Sequence, residues 1–168
     1  MNSDEQLMME FRGGAADAFT ELFERYRHPI YGFFRRRVDQ PARAEELAQE
    51  TFLAVVKAAK RYQPSARFRT YLYGIAMKLL MAERRKAGRE TEAITDNVAA
   101  HNSAPDAAIW IRRAVEALGP EHREALMLRE YEQLSYEEIA ALLEIPVNTV
   151  RSRLFRARAA LKDLLVAK

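Results

Sequence analysis

Apolar residues that return every three or four positions, and nowhere in the strict alternation of a half-buried strand, restrict this chain to helices. The clearest case lies near the C-terminus. Val150, Leu154, Ala157 and Leu161 recur at i, i+4, i+7 and i+11, the stripe of a helix that docks on a core. The other faces carry Arg151, Ser152, Arg153, Arg156 and Arg158, with Asn148 and Thr149 near the start. Residues 146–168 hold six Lys/Arg against one Asp/Glu, whereas residues 106–145 hold four against nine. Such a helix rests on its own domain and offers cations and hydrogen-bond donors to a phosphate backbone and to base edges. Taken alone, the pattern suits a solvated basic face equally well.

What precedes it favours nucleic acid. Ser135 and Glu138 have the spacing of a capping box and open a short helix with Ile139, Ala140, Leu142 and Leu143. That helix ends near Glu144, and Pro146 supplies the preset φ of a helix's first turn. Two short helices joined by a tight turn, the second basic, make a helix-turn-helix that lays its second helix in the major groove. The turn has Glu144 where glycine would adopt positive φ more comfortably, so local strain is expected there.

The rest of the chain is helical in period and punctuated at Gly13-Gly14, Pro29, Pro41, Pro64, Gly88, Pro105, Gly119-Pro120 and Pro146. Residues 87–105 lack helical periodicity and are rich in small and polar residues, which reads as a flexible linker. The expected architecture is therefore all-α. Two small helical domains, residues 1–86 and 106–168, are joined by the linker 87–105, and the C-terminal one is a helix-turn-helix.

Composition removes several classes of function. The absence of cysteine excludes disulfides, thiolate zinc sites and thiol catalysis. No apolar run approaches the ~18–20 residues of a membrane span, and the acidic start of the chain is unlike a secretory segment, so the cytoplasm is expected. The three histidines, His28, His101 and His122, lack metal-ligand spacing. Glu45, Glu46 and Glu50 are the nearest thing to an acid/base cluster, and no enzyme, cofactor or metal is expected.

The first domain has its own charge pattern. Residues 1–56 hold seven Lys/Arg and ten Asp/Glu, while residues 57–89 hold ten Lys/Arg and only Glu83. Within that basic stretch Tyr62, Phe68, Tyr71 and Tyr73 lie beside Lys60, Arg61, Arg67 and Arg69. Cations interleaved with aromatics suit single-stranded nucleic acid, whose bases stack on rings while its phosphates are neutralised. Leu72, Ile75, Ala76 and Leu79 follow helical spacing and are expected in the core. Tyr62, Arg61, Arg67 and Arg69, beside the turn at Pro64, are expected to meet nucleic acid.

On the preceding helix, residues 42–60, Leu47, Thr51, Ala54, Val55 and Ala58 share the core side. Glu46, Gln49, Glu50, Leu53, Lys57 and Lys60 lie opposite, so Leu53 is expected on an otherwise polar face. An exposed leucine ringed by acids and an amide suits docking onto a partner with complementary cations, although a lone exposed leucine is ordinary.

Six runs together resemble a known family. Asp17-Ala-Phe-Thr-Glu-Leu-Phe-Glu-Arg-Tyr26, Ala44-Glu-Glu-Leu-Ala-Gln-Glu-Thr-Phe-Leu-Ala54 and Phe68-Arg-Thr-Tyr-Leu-Tyr-Gly-Ile-Ala76 resemble the first conserved domain of bacterial sigma factors. Gly119-Pro-Glu-His-Arg-Glu-Ala-Leu126, Leu134-Ser-Tyr-Glu-Glu-Ile-Ala140 and Ile145-Pro-Val-Asn-Thr-Val-Arg-Ser-Arg-Leu-Phe-Arg-Ala-Arg158 resemble the last domain. With two domains and a linker, the chain is similar to the short extracytoplasmic-function (ECF) group.

The resemblance implies a transcription initiation factor that binds core RNA polymerase and delivers it to promoter DNA. Glu46, Leu47, Gln49, Glu50, Phe52 and Leu53 would engage the clamp helices of the largest polymerase subunit. The segment from Arg61 through Arg85 would melt and hold the −10 element, with Arg61, Tyr62, Arg67, Phe68, Arg69 and Lys78 as its contacts and 62–68 as a base-capturing loop. Asn148, Thr149, Arg151, Ser152, Phe155 and Arg156 would read the −35 element, and an exposed Phe155 would suit a thymine methyl. An inhibitory anti-sigma factor is a further implied partner. The chain departs from the family pattern at Tyr71, Lys78 and Ala82, where Trp, Asn and Asp or Asn are usual. It departs again at Gln133, Glu144 and Asn148, where glycine is usual. Two other classes fit parts of the sequence: a helix-turn-helix regulator that binds duplex DNA without polymerase, and a single-strand or RNA-binding protein using only residues 57–89.

Overall fold

The structure, a computed structural model, describes residues 1–90 and 106–166. Among them are eight α-helices and no strand. They are α1 (Asp4–Arg12), α2 (Ala16–Arg35), α3 (Pro41–Ala58), α4 (Phe68–Glu90), α5 (Asp106–Glu116), α6 (Pro120–Glu130), α7 (Tyr136–Leu143) and α8 (Val147–Val166). A 3-10 turn, Ala59–Arg61, follows α3. The chain divides into two compact units, Met1–Val98 and Ala99–Lys168, a division inside the stretch read as linker.

In the first unit α1 packs on α2, α2 on α3 and α3 on α4. Ser3 and Gln6 form a capping box that starts α1, the Ser3 hydroxyl accepting from the Gln6 amide at 3.2 Å. Gly14 turns the chain into α2 at φ 107°, a conformation open to glycine and hostile to a Cβ. Leu7 and Met8 from α1, Leu22, Ile30, Phe33 and Phe34 from α2, Leu47 and Val55 from α3, and Phe68, Leu72 and Leu80 from α4 form the core. Each large side chain buried in this way contributes about 1.5–3 kcal/mol, and this outweighs the break expected at Pro29. Pro29 lies inside α2, between Leu22 and the buried Ile30, Phe33 and Phe34. Helix α4 runs through Gly88 to Glu90, so residues 87–90 are helical rather than linker. The remainder of that linker, 91–105, lies outside the described residues.

In the second unit α6 and α7 both pack on α8, and α5 also reaches it. Ser135 and Glu138 form the expected capping box, the Ser135 hydroxyl accepting from the Glu138 amide at 3.1 Å. Glu144 caps α7 in the left-handed conformation, φ 56° and ψ 47°, and Gln133 has φ 56° as well. The strain anticipated at Glu144 is therefore present, and a second instance precedes α7. Both residues are exposed, so nothing but the backbone demands that conformation.

Candidate functional site

Helix α8 has an amphipathic cross-section set by its apolar stripe. Val150, Leu154 and Ala157 are buried and Leu161 half-buried, and Ala157 and Leu161 pack with Leu118 and Leu126. That docking turns Asn148, Arg151, Ser152, Phe155 and Arg156 outward, with Phe155 75% exposed. Thr149 is half-buried. Asn148, Thr149, Ser152 and Arg156 line one shallow concavity together with Glu121, His122 and Arg153. Arg151 donates to the Asn148 side-chain oxygen at 3.1 Å, which organises the helix's first turn before any ligand arrives. Two other arginines of α8 are tied to their own unit. Arg158 donates to the Tyr136 hydroxyl at 3.5 Å and to Glu130 at 3.3 Å, and Arg153 lies 3.7 Å from Glu121. The Tyr136 hydroxyl is held below its ordinary pKa by the Arg158 hydrogen bond.

On α3 the expected polar face is present. Glu46, Gln49, Glu50, Lys57 and Lys60 are exposed, and Leu53 retains 54% of its surface. Val56 extends this apolar spot at 41% exposure. Leu47 and Phe52, expected among the docking residues, are buried instead, and Phe52 sets its ring edge against Phe23 at 5.0 Å. The core side of α3 includes Ala48 and Phe52 beside Leu47, Thr51 and Val55, while Ala54 and Ala58 are only half-buried. Packing partners on both α2 and α4 widen the buried arc beyond a simple stripe. Thr51 is accommodated because its hydroxyl donates to the Leu47 carbonyl at 2.8 Å.

A residue the sequence did not single out organises this face. Arg43 donates to Glu83 through Nε at 2.9 Å and Nη2 at 2.7 Å, and through Nη1 to Glu46 at 2.8 Å and Glu50 at 3.4 Å. The Glu83 hydrogen bond first, then that of Glu46, raises the affinity of Arg43 for its proton. The same Arg43 hydrogen bond lowers the Glu83 pKa. Sequence spacing gives the Arg43–Glu46 proximity at i, i+3, but the forty-residue reach to Glu83 exists only once α3 and α4 pack.

The basic-aromatic segment requires a correction. Tyr62 is 3% and Phe68 1% exposed, so neither ring offers an open face to a base. Their rings pack on each other at 6.3 Å, with Tyr71 5.2 Å from Tyr62 and Tyr26 5.7 Å from Phe68. The aromatic spacing that suggested stacking on bases served stacking among helices. Burial pushes the Tyr62 hydroxyl up to about 12, and that hydroxyl has no hydrogen-bond partner. Between these two anchors, residues 63–67 are exposed, as are Arg61 and Lys78, and Arg69 is half-buried. The segment thus presents cations on a closed aromatic frame. In α4 the fully buried positions are Phe68, Leu72, Tyr73, Ala76, Met77 and Leu80, while Ile75 and Leu79 are half-buried.

No group of metal-binding side chains occurs among the described residues, and no helix there is long and apolar enough to cross a membrane.

Residues 22–90 match the family model described as Sigma-70 region 2, and residues 108–161 match Sigma-70, region 4. The chain is 38% identical over 165 residues to the RNA polymerase sigma factor CarQ of Myxococcus xanthus, an alignment covering 94% of this chain and 95% of that one. The chain belongs to the RNA polymerase sigma factors, in the ECF group. Its similarity to the RNA polymerase sigma-H factor of Pseudomonas aeruginosa is 33% identity over 96% of this chain and 93% of that one. The ECF RNA polymerase sigma-E factor of Escherichia coli is 32% identical over the same shares. The fold agrees with two solved structures at 24% identity. CnrH, in complex with the cytosolic domain of CnrY, superposes with TM-score 0.76 over 99% of both chains. The Bartonella quintana sigma factor RpoE, in complex with the anti-sigma factor NepR, gives 0.73 over 88% of this chain and 96% of that one. This sigma factor therefore binds core RNA polymerase and promoter DNA and directs the enzyme to promoters. An independent helix-turn-helix regulator and a stand-alone single-strand binder are both set aside by matches to both sigma regions in one chain.

Proposed function

We propose that the sigma factor divides initiation among three surfaces. The α3 face built from Glu46, Gln49, Glu50 and Leu53 docks on the clamp helices of the largest polymerase subunit, with Leu47 and Phe52 as the core that fixes its shape. The outward face of α8, with Asn148, Thr149, Arg151, Ser152, Phe155 and Arg156, reads the −35 element. The segment from Arg61 through Arg85 opens and holds the −10 element through Arg61, Arg67, Arg69 and Lys78, while Tyr62 and Phe68 frame the loop that carries Arg67. The protein performs no chemistry of its own and acts in the cytoplasm.

One observation carries the reading: α8 buries Val150, Leu154 and Ala157 while leaving Phe155 and the side chains around it in solvent. A helix docked this way has a firm seat and a polar, cationic face at groove-reading positions. The Arg43–Glu46–Glu50 contacts support the docking surface, because they hold its acids in place before a partner is bound. A partner anti-sigma factor is proposed on the complex of the Bartonella quintana RpoE with the anti-sigma factor NepR. The test is reconstitution with core polymerase on promoter fragments. Run-off transcript and permanganate-reactive thymines at the −10 element should both require this chain. Transcript without dependence on the chain, or a duplex that stays closed, would contradict the assignment.

A further inference from the structure

Four hydrogen bonds converge on α1, a helix with no role in the surfaces above. Asp4 accepts from Arg25 at 2.8 Å and from the Tyr26 hydroxyl, which ties the start of α1 to α2. Glu5 accepts from the Phe68 amide at 2.9 Å. Arg12 donates to the Tyr62 carbonyl at 3.0 Å. Phe68 opens α4, so its amide is one of the donors that a helix leaves without an internal partner, and a carboxylate there also faces the positive end of the helix dipole. Tyr62 closes the 3-10 turn, where the chain leaves regular structure. Glu5 and Arg12 stand at i and i+7, two turns apart on one side of α1, roughly 10 Å along its axis at 1.5 Å per residue. One helix face thus holds both ends of the loop 62–68.

We infer that Glu5 and Arg12 are positioning residues for promoter opening, holding the 62–68 loop at its two ends so that Arg67, flanked by Arg61 and Arg69, meets the melted strand in a fixed arrangement. The inference rests on the proposed role of that loop. Its middle, Gln63 to Arg67, is exposed; Ser65 donates to the Gln63 carbonyl at 2.8 Å, and the Arg67 carbonyl accepts from Tyr71 at 3.2 Å where α4 begins. The loop's shape therefore depends on its ends. The ring cluster of Tyr62, Phe68 and Tyr71 fixes where those ends lie, and the α1 contacts fix the backbone directions there. Leu7 and Met8 keep α1 seated independently of both polar contacts, so removing either contact leaves the helix in place.

The experiment uses the full chain and its holoenzyme with Glu5→Ala, Glu5→Gln, Arg12→Ala and the pair Arg61→Ala/Arg67→Ala. Amide hydrogen exchange over residues 62–70 of the free protein reads the hold on the loop. Permanganate reactivity reads opening, and co-elution with core polymerase reads docking. Glu5→Ala and Arg12→Ala should speed exchange, leave co-elution unchanged and lower open complex roughly tenfold, the scale of one lost charge-assisted hydrogen bond. Glu5→Gln keeps an acceptor oxygen and should restore most of both. Unchanged exchange, or faster exchange with normal opening, overturns the inference. Equal losses from Glu5→Gln and Glu5→Ala would also overturn it. Normal opening by Arg61→Ala/Arg67→Ala would instead remove the loop's own role, a separate failure. If Arg12→Ala fails to fold, the two Glu5 variants decide the matter.

Discussion

Arg43 and Glu83 join through two hydrogen bonds, at 2.9 and 2.7 Å, and so lock α3, the proposed polymerase-docking helix, to α4, the proposed DNA-opening helix. Both side chains are mostly shielded, with 27% and 21% of their surface accessible. Arg43→Ala or Glu83→Gln should each lower the stability of the first unit by about 1–2 kcal/mol, and the double variant should lose little more than either alone. Thermal unfolding followed by circular dichroism measures this. The pH dependence has a definite sign. Glu83 has a lowered pKa in the fold, so its contribution is complete above the ordinary glutamate value of 4.5 and disappears as pH falls through the lowered one. Below that range wild type and Glu83→Gln should converge.

Tyr62 separates two interpretations of the aromatic cluster. Its hydroxyl is buried without a partner, so Tyr62→Phe should leave the melting temperature unchanged or raise it. Tyr62→Ala should destabilise by about 3–5 kcal/mol, as deletion of a packed ring does. A Tyr62→Ala protein as stable as wild type would mean that the ring lies in solvent and is open to a base.

The left-handed residues give a third prediction. Glycine at position 144 or 133 removes the clash between Cβ and backbone but adds chain entropy to the unfolded state. Glu144→Gly should raise the stability of the second unit by up to about 1 kcal/mol, whereas a β-branched Glu144→Val should lower it. Urea titration of the two variants checks the order.

Much of this molecule was legible in its residues, for reasons of geometry. The α8 stripe, the Ser135–Glu138 box and the exposure of Leu53 all follow from short-range helical spacing, and each is found as expected. What was misread depends on long-range packing. Leu47 and Phe52, expected on the docking face of α3, are buried by its packing against both α2 and α4. Tyr62 and Phe68 have the composition of a base-stacking platform, and only the approach of α1 and α2 shows that their faces are covered. Pro29 and Gly88 have the local character of breaks, yet both lie inside helices, and at Pro29 the buried side chains around it override local propensity. Arg43, Glu5 and Arg12 act through partners forty to sixty-three residues away, and no local pattern reports them.

On α8 the tethering of Arg158 sets up a contrast with Arg156. Arg156→Ala in the holoenzyme should cost ~1–3 kcal/mol on the preferred −35 element and flatten discrimination against mutated elements. Lys162→Ala, farther along the helix, should weaken all sequences alike and reduce the salt slope. Competition binding on matched and mutated promoters at several salt concentrations distinguishes them. Equal losses on both promoters for Arg156→Ala would make it a phosphate anchor.

The central claim is that function lies on the faces left exposed once each core is packed, and Leu53 tests it most directly. Leu53→Asp should leave helicity and melting temperature near wild type, because 54% of the side chain is already in solvent. Co-elution with core polymerase and run-off transcription should both fall sharply. Full polymerase binding by a folded Leu53→Asp protein would contradict the account.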